Sequence, residues 1–299
     1  MKKIIILLTT FSIILLACDK QEEKEKEVDL WASFPPMSDP NDVCSSMEDT
    51  VFMQYCYKNF DVDKNGKVSL EEAFNAEGIF ISNKNIKSLK GIQYFGMLTI
   101  LRCDGNQLTS LDISKNALLS QIYCSNNQLV NLSIGTNTSL SHLDCRNNQL
   151  TSLDISKNTS LSSLDCGNNQ LTSLDVSKNT ALAYLHCNEN QLASLNVSKN
   201  TSLSYLVCCG NQLTSLNVSK NTPLYHLECS YNQLTSLDVS TNTLLYRLSC
   251  KGNQLTAQAL NSLFKSLPQF DYVEGKFRYS ITPEHGIAIN RLPVKKVGK

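Results

Sequence analysis

Residues 61–72, DVDKNGKVSLEE, carry oxygen-bearing side chains at alternate positions of a short loop. This spacing suits a hard cation, because Ca²⁺ takes about six to eight oxygen ligands from carboxylates, carbonyls and water. Gly66 permits the tight turn that such a loop needs. We expect one structural calcium ion held by side chains, by the carbonyl of residue 67 and, through water, by residue 69: Asp61, Asp63, Asn65, Lys67, Ser69 and Glu72. The alternative is an acidic turn that binds no metal.

The segments beside this loop are predicted to be helical. Before it, apolar residues recur near helical spacing and predict one apolar helix face: Met47, Val51, Phe52, Tyr55 and Phe60. After it, Gly78 and IFIS leave room for only a short helix. The loop and its flanks, over about 35 residues, resemble an EF-hand. A single such loop with a truncated second helix favours a structural clip of extracellular affinity, in the millimolar to submillimolar range, over a calcium sensor.

Cysteine recurs every 21 residues, at Cys103, Cys124, Cys145, Cys166, Cys187, Cys208, Cys229 and Cys250. These thiols could ligate a metal, form disulfides or pack in a core. Packing is favoured, because neighbouring cysteines of a parallel ladder lie about 4.8 Å apart, while a disulfide prefers Cβ atoms about 3.5–4.5 Å apart. No histidine shares their column, which argues against zinc. Cys209 lies one position later and is expected to point outward as a possible reactive thiol. Cys44 and Cys56 can pair only if Cys44 precedes the helix and folds back, so their state stays open.

The repeat reads L-x-x-L-x-C-x-x-N-x-L-x-x-L-D-[IV]-S-x-N-x-x. One unit buries about six apolar side chains, worth at most about 18 kcal/mol, whereas ordering 21 residues costs on the order of 20–40 kcal/mol. Single units therefore cannot fold alone and must stack into a solenoid. The pattern resembles leucine-rich repeats of the 21-residue IRREKO class. That resemblance covers residues 79–256, about nine repeats, and implies a parallel sheet on the concave side, with an extended, irregular convex side.

The residues between the inward leucines and cysteines are predicted to face the concave surface. These residues vary from repeat to repeat, while the residues that define the repeat pattern do not. Several of them are residue types that are common at binding hot spots. The candidate ligand-binding residues are Tyr123, His142, Tyr184, His186, Tyr205, His226 and Arg247. The resemblance implies a protein partner. A glycan ligand and a passive envelope spacer are the alternatives, and the same residues could simply be β-prone positions. An open sheet without a lid or sheltered pocket argues against an enzyme.

The N-terminal residues predict export. Residues 1–17 resemble a lipoprotein signal peptide, with Lys2 and Lys3 before an apolar run that ends at a lipobox-like LLAC. The resemblance implies lipidation of Cys18 and membrane attachment by this lipid anchor only. The acidic stretch DKQEEKEKE at residues 19–27 resembles the surface-export signals of lipoproteins in the Bacteroidetes, which implies an outer-membrane location at the cell surface. An ordinary secretory signal is the alternative. The formal net charge of zero gives no electrostatic reason to propose nucleic acid as a partner.

The sequence therefore divides into five predicted parts. Residues 18–40 comprise the lipidated cysteine and a flexible charged tether, in which residues 19–27 contain no apolar side chain and cannot bury enough surface to fold. Residues 41–78 form a small helical cap around the calcium loop. The repeats follow at 79–256, and residues 257–299 form a mixed C-terminal cap. Within that cap, AQALNSLFKSL at 257–267 has helical spacing and would cover the last open sheet edge, while FRYSI and GIAIN predict short strands.

Overall fold

A computed structural model describes residues 5–9, 12–16, 38–135 and 137–267, in two units that divide after residue 35. In the first unit, strand β1 (Ile5–Thr9) pairs antiparallel with β2 (Ser12–Leu16). The predicted lipidation residue Cys18, most of the tether, and the strands predicted at FRYSI and GIAIN lie outside the described residues. Within the described part of the chain, no helix combines the length and the apolar character needed to cross a membrane.

The second unit begins with a small helical cap. A 3₁₀ turn at Val43–Ser46 precedes helix α1 (Thr50–Phe60), where Asp49 accepts hydrogen bonds from the first free amides. Helix α2 (Leu70–Phe74) is short, and Ser69 with Glu72 forms a capping box at its start. The cap packs on the first coil through Phe95, whose ring centroid lies 6.4 Å from that of Phe52 and 5.1 Å from that of Phe60.

The concave side is a nine-stranded parallel sheet in which the strands follow their chain order. Each strand has three residues and a buried middle side chain, because leucine or isoleucine alternates there with outward residues. The strands are β3 (Gly78–Phe80), β4 (Ile100–Arg102), β6 (Gln121–Tyr123), β8 (His142–Asp144), β9 (Ser163–Asp165), β10 (Tyr184–His186), β11 (Tyr205–Val207), β12 (His226–Glu228) and β13 (Arg247–Ser249). This arrangement confirms the predicted solenoid.

The convex side is only partly regular. Strands β5 (Ser110–Asp112) and β7 (Asn131–Ser133) pair in parallel as a second, two-stranded sheet. In the later coils the equivalent segments contain no strand, although their leucine and valine or isoleucine side chains stay buried. No helix forms on this side between residues 100 and 135 or 137 and 256, in agreement with the predicted extended, irregular convex side.

The solenoid interior contains the leucines, the eight repeat cysteines and two asparagine ladders. The cysteines are all buried, with at most 3% of any side chain exposed, which supports packing as their role. The first ladder lies three residues after each cysteine and comprises Asn106, Asn127, Asn148, Asn169, Asn190, Asn211, Asn232 and Asn253. The second ladder lies at the convex turn and comprises Asn116, Asn137, Asn158, Asn179, Asn200, Asn221 and Asn242.

Helix α3 (Ala257–Ser266) follows the last coil, as its helical spacing predicted. Thr256 caps its first turn, and Leu263 is fully buried. The Oγ atom of Ser266 accepts a hydrogen bond of 3.4 Å from the Val239 amide, so the helix ends against the convex half of the coil between β12 and β13. Residues 268–299, which complete the predicted C-terminal cap, lie outside the described part.

Candidate functional site

Strand register places the predicted ligand-binding residues in two columns on the concave sheet. The first column contains Ile100, Gln121, His142, Ser163, Tyr184, Tyr205, His226 and Arg247. The second contains Arg102, Tyr123, Asp144, Asp165, His186, Val207, Glu228 and Ser249. Because the repeats keep one length, equivalent residues face each other without a register shift, and side chains of neighbouring coils come into contact.

Four of the predicted residues form one aromatic cluster. The rings of Tyr184 and Tyr205 stack with centroids 4.7 Å apart and planes at 17°. His226 stacks on the other face of this row, 4.0 Å from Tyr205 at 22°. His186, from the second column, lies 4.6 Å from Tyr184 and 5.3 Å from Tyr205. We call Tyr184, His186, Tyr205 and His226 the aromatic cluster.

The other predicted residues lie beside this cluster or apart from it. Tyr123 and His142 form a separate pair with ring centroids 4.7 Å apart. The coil between this pair and the cluster contributes Ser163 to the first column, so the aromatic row is interrupted there. Arg247 is next to His226 in register, and its guanidinium lies 2.9 Å from the Glu228 carboxylate.

Ion pairs of Arg146 and Arg247, together with hydrogen bonds of His186 and His226, surround the aromatic cluster. The Arg146 guanidinium lies 3.4 Å from Asp144 and 3.2 Å from Asp165, and Asp165 lies 3.3 Å from the Nδ1 atom of His186. On the other side, Glu228 lies 3.0 Å from the Nε2 atom of His226. Our choice of candidates from sequence missed these charged residues. Asp165 and Glu228 could have been selected from the sequence, because both occupy a concave column. Arg146 could not be selected in this way, because its side chain reaches the concave face from the turn after its cysteine.

Burial sets the protonation of the site. It lowers the pKa of His142 and that of His226, so both imidazoles favour the neutral form. Burial, followed by the nearby Asp165 charge, raises the pKa of Tyr184 to about 12. Near neutral pH the Tyr184 hydroxyl therefore keeps its proton, and the fixed positive charges beside the cluster are those of Arg146 and Arg247.

An open cavity of about 430 Å³ adjoins the cluster and is lined by Arg146, Asp165, His186, Tyr205 and Glu228, among others. Cys209 also lines it, so this cysteine points away from the core as expected. The predicted reactivity of Cys209 gains no support. Burial raises the pKa of the Cys209 thiol, and the charges of Glu228 and Glu189 raise it further. A protonated thiol is a weak nucleophile.

The predicted calcium loop forms a second candidate site. One carboxylate oxygen each from Asp61, Asp63 and Glu72 lies within 4.8 Å of the others. The amide of Asn65 donates to Asp61 and Asp63, and the Gly66 amide donates to Asp61 at 3.0 Å, which folds the loop inward. Gly66 has a φ of +85°, as its position in the tight turn required.

The charges of this loop suit a divalent cation. Burial opposes ionisation of Glu72, but hydrogen bonds from Ser69 and from the Asp63 and Val62 amides outweigh it and lower the pKa of this carboxyl. The Lys67 ammonium turns away to Asp39, 2.9 Å distant, while its carbonyl position stays in the loop. Within residues 38–135 and 137–267, no salt bridge engages the three clustered carboxylates. The donor set of hard oxygens therefore fits calcium.

Comparisons with known proteins support the repeat architecture. A family model described as leucine-rich repeats (2 copies) matches residues 138–179. The functional domain of InlJ from Listeria monocytogenes, described as including a cysteine ladder, is 33% identical over 73% of this chain and 53% of that one, with a TM-score of 0.61. A leucine-rich-repeat protein from Leptospira interrogans is 26% identical over 71% of this chain and 57% of that one, with a TM-score of 0.60.

The chain thus spans little more than half the length of these two structures. The leucine-rich-repeat ectodomain of an Arabidopsis thaliana receptor kinase, solved in complex with CASPARIAN STRIP INTEGRITY FACTOR 2, shares the fold. It is 24% identical over 68% of this chain and 25% of that one, with a TM-score of 0.55. No curated protein matches this chain.

Proposed function

We propose that this leucine-rich-repeat solenoid is an exported, surface-anchored recognition protein that binds another protein through its concave sheet. Leucine-rich-repeat folds commonly mediate protein–protein recognition. The observation that carries the proposal is the aromatic cluster with its ring of ion pairs, displayed on a sheet whose interior repeats almost without change. Buried or half-buried aromatic residues beside charged groups are the composition of interface hot spots.

Ring geometry favours a protein over a glycan. Sugar recognition by stacking needs an aromatic face open to the ligand, but Tyr205 has Tyr184 stacked on one side and His226 on the other. The hydroxyl groups and ring edges are what the cluster offers, together with Arg146, Asp165 and Glu228. Those groups suit the mixed polar and apolar surface of a folded partner.

The test uses immobilised protein in calcium-containing buffer and extracts of neighbouring bacterial and host cells. We expect a protein to be retained by the wild type and lost from a variant with Tyr184, His186, Tyr205 and His226 all changed to alanine. The matched control changes four exposed convex residues to alanine, Asp154, Lys157, Asp175 and Lys178. It should retain the same protein with unchanged affinity.

Three other outcomes would reject the proposal. Retention of the same material by all three columns would move binding away from the concave face. Retention of a glycoconjugate that glycosidase treatment releases would favour glycan binding. No specific retention from any extract, with a folded wild type, would favour a passive spacer.

We also propose that one calcium ion in the loop of residues 61–72 stabilises the cap against the first coil. Asp61, Asp63 and Glu72 would supply carboxylates, Asn65 an amide oxygen, residue 67 a carbonyl and Ser69 a water-mediated contact. The loop is joined to the solenoid, since the Tyr55 hydroxyl accepts a hydrogen bond from the Phe80 amide and the Met97 amide donates to the Phe74 carbonyl. Calcium would therefore stabilise the N-terminal end of the sheet.

Thermal unfolding tests the calcium proposal. Calcium at about 100 times its dissociation constant should stabilise the folded state by about 2.7 kcal/mol relative to chelator. Asp61→Ala should abolish this response, whereas Glu71→Ala, an exposed neighbour outside the cluster, should preserve it. An equal response in wild type and Asp61→Ala would show that calcium acts elsewhere.

The membrane anchor is tested separately by fractionating cells that express the full chain. We expect the wild type in the outer-membrane fraction and labelled by a fatty acid, and the Cys18→Ala variant without that label. External protease should remove the wild-type protein from intact cells. A soluble, cleaved wild-type protein without lipid would instead indicate an ordinary secretory signal.

A further inference from the structure

Cys44 and Cys56 lie in the helical cap, outside the cysteine ladder, and both side chains are fully buried. Twelve residues of one continuous helix would hold them about 18 Å apart. The chain instead places Cys44 in the 3₁₀ turn Val43–Ser46, and the extended backbone at Met47 separates this turn from α1, which contains Cys56. The turn can therefore fold back onto the helix.

Hydrogen bonds at Asp42 hold the turn against the C-terminal half of α1. The Asp42 carboxylate accepts bonds from the Cys44 amide at 3.0 Å and from the Tyr57 hydroxyl at 2.7 Å, and Tyr57 directly follows Cys56. The Val43 amide also donates to the Val68 carbonyl at 2.9 Å. These contacts bring the two cysteines together from two different segments.

Both thiols lie buried where the turn packs against the helix. Burial, followed by a hydrogen bond with the Cys44 side chain, raises the pKa of the Cys56 thiol far above its usual value. Neighbouring ladder cysteines differ, because the parallel register keeps them at the coil spacing of about 4.8 Å, beyond the usual Cβ separation of a disulfide. Cys44 and Cys56 belong to no shared ladder, so their segments can adopt disulfide geometry without straining a sheet.

We propose that Cys44 and Cys56 form a disulfide that closes the N-terminal cap in the exported protein. Two S–H bonds break and one S–S bond forms, while two electrons and two protons pass to the disulfide of an envelope thiol oxidant, which becomes a dithiol. The reaction occurs during folding, before the cap buries the thiols. The oxidant depends on the export that we propose above, whereas the pairing of the two sulfurs depends only on the fold.

The disulfide also bears on the calcium loop. Asp42 accepts a hydrogen bond from the Val68 amide, and Val68 lies within the loop. A covalent link at Cys44 fixes the turn that contains Asp42, and this turn supports one side of the loop. We therefore expect the oxidised protein to bind calcium more tightly than the reduced one.

The test refolds the reduced full chain in a glutathione redox buffer with calcium, then alkylates the remaining thiols under denaturing conditions. Cyanogen bromide cleaves after Met47 and Met53, which separates the two cysteines. We expect fragments 38–47 and 54–97 to stay joined until a reductant is added, and Cys166 to be alkylated. Quantitative alkylation of Cys44 and Cys56, or linkage of either to another cysteine, would overturn the pairing.

Matched variants test the consequence. In the wild type, a reductant should lower both the melting temperature and the calcium-induced rise in it. The double variant Cys44→Ala, Cys56→Ala should show no response to the reductant, and the ladder variant Cys166→Ala should respond like the wild type. If the double variant does not fold, the fragment map of the wild type still decides the pairing.

Protein isolated from the cell envelope distinguishes the two proposals. Envelope protein with a Cys44–Cys56 link supports both export and the disulfide. Envelope protein with both thiols free contradicts the disulfide and leaves export standing. Cytoplasmic protein with free thiols, combined with a link after refolding, contradicts export and leaves the pairing standing.

Discussion

Every complete coil buries two asparagines, and the two residues differ in what they bond. In the coil that contains β9, the Nδ2 atom of Asn169 donates to the carbonyls of Cys145, Cys166 and Gly167, and its Oδ1 atom accepts from the Leu150 amide. Ten residues later, the Nδ2 atom of Asn179 donates to two carbonyls. Its buried Oδ1 atom has no hydrogen-bond partner within the described residues.

The difference shows that the same side chain serves two purposes in one repeat. Asn169 gives the Leu150 amide its acceptor and also bonds the Cys145 and Cys166 carbonyls. The Gly167 carbonyl that it contacts already accepts from the Asn147 amide. Asn179 adds donors to carbonyls that already accept main-chain bonds, since Ile155 accepts from the Asn158 amide and Asn158 from the Leu161 amide. We infer that the first ladder both satisfies the backbone and links coils, whereas the second mainly links coils.

The largest loss in the free energy of unfolding is expected for a substitution in the first ladder. Asn169→Ala removes four hydrogen bonds and leaves the buried Leu150 amide without this acceptor. Because a buried amide without a partner costs about 1–3 kcal/mol, and each of the other three lost bonds about 1 kcal/mol, we expect the free energy of unfolding to fall by about 4–6 kcal/mol. Urea unfolding of the wild type and the variant at equal calcium measures this difference.

A smaller effect is expected at the second ladder in the same coil. Asn179→Ala removes two hydrogen bonds, but the carbonyls keep main-chain donors and the unpartnered Oδ1 atom disappears. We expect a loss of about 1–2 kcal/mol in the same urea experiment. Equal losses in the two variants would break the comparison and show that burial of the amide matters more than its bonding.

Much of this architecture could be predicted from sequence because the repeat determines it. A 21-residue spacing without a slip places Leu143, Leu164 and Leu185 in register, and the buried cysteines follow two positions later. The turn at residues 61–72 could be predicted for a similar reason, since Gly66 and the three clustered carboxylates occupy fixed positions in the motif proposed to bind calcium. The first coil departs from the rule: β4 follows β3 after 22 residues, and the 3₁₀ turn Ile92–Tyr94 falls in that interval.

The contacts of the concave site could be predicted only in part. Sequence placed Tyr184, Tyr205 and His226 in one column, because strand pairing is regular. The sequence did not place Arg146 between Asp144 and Asp165. The Arg146 side chain extends from a turn across a coil, and the direction of this side chain depends on local packing. The fold-back of Cys44 onto α1 was likewise undetermined, since spacing alone does not show where a helix begins.

The smallest change in the free energy of unfolding is expected at an exposed turn position beside the first ladder, and it is an increase rather than a loss. Asn126, Asn147 and Asn168 have φ angles of 51–54°, a left-handed conformation that asparagine tolerates, but Glu189 occupies the equivalent position at 49°. A residue other than asparagine or glycine in this left-handed conformation costs on the order of 1 kcal/mol. We therefore expect Glu189→Asn to stabilise the protein by about 0.5–1 kcal/mol in urea unfolding.

The reverse change, Asn168→Glu in the neighbouring coil, is the matched control and should destabilise the protein by a similar amount. The carboxylate of Glu189 lies over Gly210, where a Cβ atom would approach it to 2.4 Å. Asn168 has no carboxylate, so the paired variants separate backbone strain from that contact. If both substitutions destabilise the protein, backbone strain is present at this turn, but at Glu189 the contact with Gly210 outweighs it.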